Sequence, residues 1–242
     1  MNQKTESILL RAVTLLAAAL TVGTLLFLII YILIRGIPYL KPSLFAWEYN
    51  TENVSLMPAM INTIVMTVLS LLIAIPMGVG SAIYLVEYAK RGSKFVELIR
   101  LTTETLSGIP SIIFGLFGMI FFGETLGFGY SLLTGSFTLT LMVLPLITRN
   151  TQEALRTVPD SYRTGALGMG STKWHMIRTI LLPSSMPGIV TGIILALGRI
   201  VGESAALLFT AGSDYKLPKF TGAFGDNLAK LAHKAMESGG TL

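Results

Sequence analysis

Residues 149–183, RNTQEALRTVPDSYRTGALGMGSTKWHMIRTILLP, form the longest polar stretch between apolar segments of the chain. Helix-forming residues come first, followed by Pro-Asp-Ser at 159–161 and a second helical pattern. Pro159 suits the first turn of a helix, where Asp160 or Ser161 can accept hydrogen bonds from free N–H groups. A long structured loop is typical of a segment that contacts another molecule. We therefore expect this loop to dock on a partner.

Five apolar segments lie around this loop, and each is long enough to cross about 30 Å of hydrocarbon as a helix. Hydrophobic residues make up 52% of the 242 residues and charged residues only 13%. A soluble domain carries about 25% charged residues, so the chain lacks the polar surface that water requires. The sequence predicts an all-α, polytopic transmembrane helix bundle with spans at residues 12–34, 59–86, 106–122, 131–148 and 185–211.

Lysine and arginine are distributed unevenly between the loops. If the N-terminus is cytoplasmic, the short cytoplasmic loops carry nine of these residues and the short outer loops carry two, Arg35 and Lys41. Such an excess is typical of cytoplasmic loops, so the net charge of +5 reflects topology rather than nucleic-acid binding. The first apolar segment is longer than the core of a secretory signal, and we interpret it as an uncleaved helix. The sequence predicts a multi-pass protein of the cytoplasmic (inner) membrane with a cytoplasmic N-terminus.

A spaced motif lies within the loop at 149–183. Thr164-Gly165-Ala166 is followed after three residues by Gly170, and nine residues later by Ile180-x-Leu182-Pro183. This spacing resembles the loop of ABC importer permeases, which reads Glu-Ala-Ala, three residues, Gly, nine residues, Ile-x-Leu-Pro. The chain departs from that pattern at Thr164 and Gly165. The resemblance implies that seven residues couple the chain to an ATPase: Thr164, Gly165, Ala166, Gly170, Ile180, Leu182 and Pro183.

Three further segments resemble the phosphate-import permeases, and most closely their PstA-type subunit. They are Ala-Ile-Pro-Met-Gly-Val-Gly at 74–80, Gly-Ile-Pro-Ser at 108–111 and Gly-Arg-Ile-Val-Gly-Glu-Ser-Ala at 198–205. With the loop, the resemblance covers about residues 57–212. It implies a type I ABC importer permease-like fold that translocates inorganic phosphate. It also implies that the chain forms a heterodimer with a second permease subunit. The further partners that it implies are two cytoplasmic ATPase subunits, an extracytoplasmic phosphate-binding protein and membrane lipid.

The chain itself is predicted to be no enzyme. The segment from Gly165 to Lys173 is superficially similar to a phosphate-binding P-loop, but that motif needs Gly-Lys-Ser/Thr directly after a strand. Because the chain has no cysteine and two distant histidines, His175 and His233, the sequence also predicts no metal site and no cofactor. ATP hydrolysis is therefore expected in a partner subunit.

Arg199 and Glu203 are charged residues inside the last apolar segment. At positions i and i+4 they are predicted to share a helical face, and an arginine at the bilayer centre costs about 2.5–3.5 kcal/mol. We expect both to face the bundle interior or a wet cavity, as substrate-pathway residues. One hypothesis is that Arg199 binds passing phosphate while Glu203 neutralises it at rest. The alternative is a static ion pair that joins helices.

Small residues form a stripe in the same segment, at Gly188, Gly192 and Ala196. Their spacing of four places them on one helical face, which allows a neighbouring helix to approach closely. Pro76 and Pro110 are expected to permit kinks in the second and third spans.

Two alternatives change the function. A sulfate or molybdate permease would share the loop and would also use an intramembrane arginine. A proton-coupled secondary transporter or channel would use Arg199 and Glu203 as a charge relay, but it would leave the long loop without a role.

The chain is expected to divide into three regions. Residues 1–58 hold the first span and an outer loop, residues 59–211 form the core permease domain with its coupling loop at 149–183, and residues 212–242 form an extracytoplasmic tail. The resembling family has a sixth span after this point, whereas no further apolar run precedes Leu242. We interpret the tail as truncated, with a five-span variant as the alternative.

Overall fold

The computed structural model describes residues 3–47, 55–90 and 93–211, and every regular element in these ranges is helical. The predicted all-α fold is confirmed. The tail predicted at 212–242 lies outside the described residues. The helices are α1 (Gln3–Gly36), α2 (Met57–Ile83), α3 (Lys94–Ser107), α4 (Ser111–Gly118), α5 (Leu132–Thr157), α6 (Asp160–Gly168), α7 (Lys173–Met176), α8 (Leu182–Val201) and α9 (Ala205–Thr210).

Three π-helical turns lengthen these helices. Tyr84–Tyr88 extends α2, Met119–Thr125 extends α4, and Ile177–Leu181 joins α7 to α8. Within the described ranges, four helical segments are then long and apolar enough to cross a membrane, and a bent pair adds a fifth if it counts as one span. The polytopic bundle is therefore confirmed.

Contacts divide the chain into two compact units, Met1–Met57 and Pro58–Leu242. In the first unit, α1 is apolar and its side chains from Ser7 onward are exposed. Two 3-10 turns follow, Ile37–Tyr39 and Pro42–Phe45. The backbone N–H of Leu56 donates to the carbonyl of Leu44 at 2.8 Å, which folds the end of this unit back on its second turn.

The segment predicted as a third span, residues 106–122, begins at the end of α3 and contains α4, which is the second arm of a bent pair of helices. The chain turns through 104° between Val96–Ser107 and Ser111–Thr125. Pro110 has no backbone N–H and disfavours a helical conformation of Ile109, so α3 ends at Ser107 with Gly108 as its C-cap. α3 ends with a polar run from Thr102 to Thr105 whereas α4 is apolar, so the composition changes close to the turn, but no local pattern predicts the angle.

The core of the second unit forms where α5 packs against α8. A Cβ atom at Gly188 would lie 2.6 Å from the Cβ of Ala154, and one at Gly192 would lie 2.6 Å from the Cβ of Asn150. Ala196 is fully buried one turn further along. The predicted small-residue stripe is confirmed, because side chains larger than hydrogen at the two glycines would separate the helices.

Candidate functional site

The polar stretch at 149–183 is mostly the continuation of two helices. α5 runs on to Thr157, and the last long helical segment begins at Lys173. The connection between them is therefore residues 158–172, with the nine-residue helix α6 inside it. The predicted coupling loop is thus a short helix held between two helical extensions.

The turn after α6 explains why the motif has a glycine at position 170. Gly170 has a φ of +83°, in the left-handed region that side chains with a Cβ rarely adopt. The N–H groups of Gly170 and Ser171 donate to the carbonyls of Leu167 and Ala166 at 3.0 and 3.1 Å, which closes the end of α6. α7 then begins with Thr172, whose hydroxyl accepts from the N–H of His175 at 3.3 Å.

Burial separates the seven predicted coupling residues into two groups. Ala166 is 2% exposed and belongs to an apolar cluster with Leu155 and Ile177. Ile180 and Leu182 are partly buried and pack against the same cluster. The other four are exposed: Thr164, Gly165, Gly170 and Pro183. One side of α6 is therefore anchored, and the other side is accessible.

Sequence reasoning missed a charged contact at the base of α6. The Arg163 Nε lies 3.0 Å from the Glu87 Oε1, and the two side chains are 16% and 6% exposed. Arg163 entered the topology prediction only as one of the nine lysines and arginines of the short cytoplasmic loops, and Glu87 had no predicted role. A lone glutamate at the end of an apolar span was the available signal, but no local pattern names its partner across 76 residues.

Arg199 and Glu203 do not share a helical face, so that prediction is wrong. α8 ends at Val201, and residues 202–204 break the helix before α9. The Glu203 Oε1 instead accepts from the N–H of Ala206 at 3.1 Å, at the start of α9. Among the described residues no ion pair joins Arg199 to Glu203. The alternative of a static ion pair between these two residues is therefore not supported.

Arg199 lines a cavity of about 300 Å³ between α3, α5 and α8. Two acidic residues of the wall have cationic partners: the Glu104 Oε1 lies 3.1 Å from the Arg100 Nε, and Glu153 pairs with Arg149 at 3.2 Å. Within the described part of the chain, Arg199 has no ion-pair partner. The uncharged polar residues of the same wall are Thr103, Ser107 and Asn150.

A family profile matches residues 74–225, the region that contains α6 and Arg199. It describes the inner membrane component of binding-protein-dependent transport systems. The chain belongs to this family. It is therefore a multi-pass membrane subunit of an importer of the ABC class, and the predicted family resemblance is confirmed.

Two relatives show where the chain lies within the family. It is 37% identical over 219 residues to a probable ABC transporter permease protein, YqgI, of Bacillus subtilis, covering 88% of this chain and 72% of the relative. It is also 37% identical over 154 residues to the phosphate transport system permease protein PstA of Mycobacterium leprae. That match covers 64% of this chain, and the chain spans half the length of the relative.

A solved structure shares the fold. The methionine ABC transporter MetNI, in an inward-facing conformation, contains a chain that matches with a TM-score of 0.53 at 22% identity. The match covers 84% of this chain and 89% of that one. The type I importer permease-like fold is confirmed, and at this identity the likeness concerns fold alone.

Proposed function

We propose that this chain is the permease subunit of an ATP-driven importer of inorganic phosphate and that α6 couples it to a separate ATPase. The observation that carries the proposal is α6 itself, a helix anchored on one side and exposed on the other. Leu167 is 49% exposed and Met169 is 83% exposed, so apolar surface is available for a partner. The lysine and arginine distribution supports a cytoplasmic position for α6 and a cytoplasmic N-terminus.

The phosphate assignment is supported by the similarity to PstA and by the chemistry of the Arg199 cavity. A guanidinium forms paired hydrogen bonds with a tetrahedral oxyanion, and an unpaired one binds an anion without first breaking an ion pair. Ser107 and Asn150 add hydrogen-bonding groups on neighbouring helices. In this proposal Arg199 contacts the anion, and Glu203 shapes the pathway by holding the break between α8 and α9.

The proposal includes four partners. A second permease subunit completes the translocation path, two ATPase subunits bind on the cytoplasmic side, and an extracytoplasmic binding protein delivers phosphate. Thr164, Gly165, Gly170 and Pro183 are exposed and would lie at or near the ATPase contact. Ala166, Ile180 and Leu182 would hold α6 on the bundle.

Uptake of labelled oxyanions by the assembled importer tests the substrate. Arg199→Gln keeps hydrogen-bonding groups but removes the charge, so we expect phosphate uptake to fall by about tenfold or more at normal protein levels. Arg11→Gln, which removes an exposed arginine of α1, is the control. Full phosphate uptake by Arg199→Gln would contradict the assignment of Arg199 to the substrate pathway. Uptake of sulfate or molybdate in place of phosphate would contradict the assignment of phosphate as the substrate.

A further inference from the structure

Glu87 and Arg163 form a buried contact between distant parts of the second unit. Glu87 lies in the π-helical turn at the end of α2, and Arg163 lies in α6. At 6% and 16% exposure, their side chains are far drier than those of Arg100 and Glu104, which are 72% and 52% exposed. The attraction in such a pair is screened less than at the surface, and removing one partner leaves the other charge poorly solvated. The Arg163 Nη1 also lies 3.1 Å from the Oδ1 of the exposed Asp160, but that contact stays within α6.

The guanidinium of Arg163 also binds the end of α5. Its Nη2 donates to the carbonyl of Leu155 at 2.8 Å, and its Nη1 donates to the carbonyl of Val158 at 2.8 Å. The last carbonyls of a helix have no partners within the helix, and a nearby arginine can satisfy them. One side chain therefore connects α6 with the ends of both α2 and α5.

Lys173 makes a second connection on the far side of the α6 turn. Its ammonium donates to the backbone carbonyl of Glu87 and lies 4.9 Å from the centroid of the Tyr88 ring. Beside these polar contacts, Ile83 and Val86 pack on the apolar cluster that contains Ala166. We name Glu87, Arg163 and Lys173 the α2–α6 joint.

We propose that Glu87 and Arg163 are positioning residues that transmit movement of α6 to α2, an inference that rests on the proposed docking of α6 to an ATPase. A displacement of α6 passes to α2 only while the contact between them persists. Pro76 lies inside α2, about 16 Å from Glu87 at 1.5 Å per residue, and it removes one hydrogen bond of the helix. Force applied at the joint therefore bends α2 near Pro76 instead of separating α6 from α2.

Transport efficiency in the complete importer, reconstituted in proteoliposomes, tests this role. Glu87→Gln keeps an oxygen for the Arg163 Nε but removes the charge. We expect ATP hydrolysis and ATPase binding to persist while phosphate taken up per ATP hydrolysed falls severalfold. Arg163→Lys, which keeps the charge but lacks the fork that reaches several acceptors, should lose efficiency in the same way. Glu97→Gln, an exposed acid of α3, should keep the ratio of the unsubstituted importer.

Distances between spin labels test the stiffness of the joint directly. The chain has no cysteine, so Ser81→Cys on α2 and Ser161→Cys on α6 can be labelled specifically. We expect one narrow distance distribution in the nucleotide-free and ATP-trapped states, and a broadened one after Glu87→Gln.

The proposal is overturned if Glu87→Gln keeps the normal uptake per ATP, or if uptake and hydrolysis fall in proportion while the distribution stays narrow. A different result would contradict the proposed function itself: the unsubstituted importer would bind no ATPase or take up no phosphate. In that case the label distances of the nucleotide-free protein still decide whether Glu87 stiffens the joint.

Discussion

Gly170 of the motif allows the backbone conformation that ends α6. Its φ of +83° is accessible to glycine, whereas an alanine there is strained by about 1–2 kcal/mol. Gly170→Ala should therefore lower the thermal midpoint of the purified protein and weaken ATPase binding, because the end of α6 would be misplaced. Gly168→Ala is the matched control, since a Cβ at Gly168 meets no atom within 4 Å. Equal midpoints for the two variants would contradict this explanation.

Individual residues were predicted unevenly from the sequence. The motif spacing singled out Ala166 and Gly170, which lie in a short helix and in its turn, and their coupling role stays a prediction. The predicted shared face of Arg199 and Glu203 was wrong, because α8 ends at Val201 with Gly202 as its C-cap, and the apolar run that continues past this glycine outweighed it as a helix-end signal. The Glu87–Arg163 contact depends on tertiary packing and has no local pattern.

At the scale of elements, the close packing of α5 and α8 gives a second prediction. Gly192→Ala would place a Cβ atom 2.6 Å from the Asn150 Cβ, too close for a normal contact. Overpacking of this kind typically costs about 1–3 kcal/mol, so the thermal midpoint should fall. Gly198→Ala, on the same helix with no atom within 4 Å, should leave the midpoint unchanged or slightly higher. A midpoint for Gly192→Ala as high as that of the control would show that the helices separate without cost.

Helix positions followed from hydropathy, whereas helix breaks did not. The segments predicted at 59–86 and 131–148 lie within the helical segments Met57–Tyr88 and Leu132–Thr157. The break after Val201 interrupts an apolar run, so composition alone does not show it. The turn after Ser107 follows the polar run from Thr102 to Thr105, but composition does not show that the helix changes its direction there. Pro110 was expected to permit a kink, and the chain turns through 104° at this position, an angle that no local pattern predicts.

At the scale of the whole molecule, composition and charge were sufficient for the class of protein. A charged fraction of 13% requires a membrane environment, and the lysine and arginine bias predicts which loops are cytoplasmic. The partners and the substrate could not be predicted in the same way, because their binding surfaces include residues of other subunits. The exposed side of α6 and the Arg199 cavity therefore support them only as proposals.

The central claim is that α6 contacts a cytoplasmic ATPase, and site-specific photocrosslinking in whole cells tests it most directly. A photoreactive residue at Leu167, which is exposed on α6, is compared with one at Leu208, which is equally apolar and 59% exposed on α9. We predict that position 167 crosslinks to an ATPase subunit and that position 208 does not. The account is contradicted if position 167 captures no ATPase. It is also contradicted if a cysteine introduced at position 167 is labelled by membrane-impermeant thiol reagents from outside the cell.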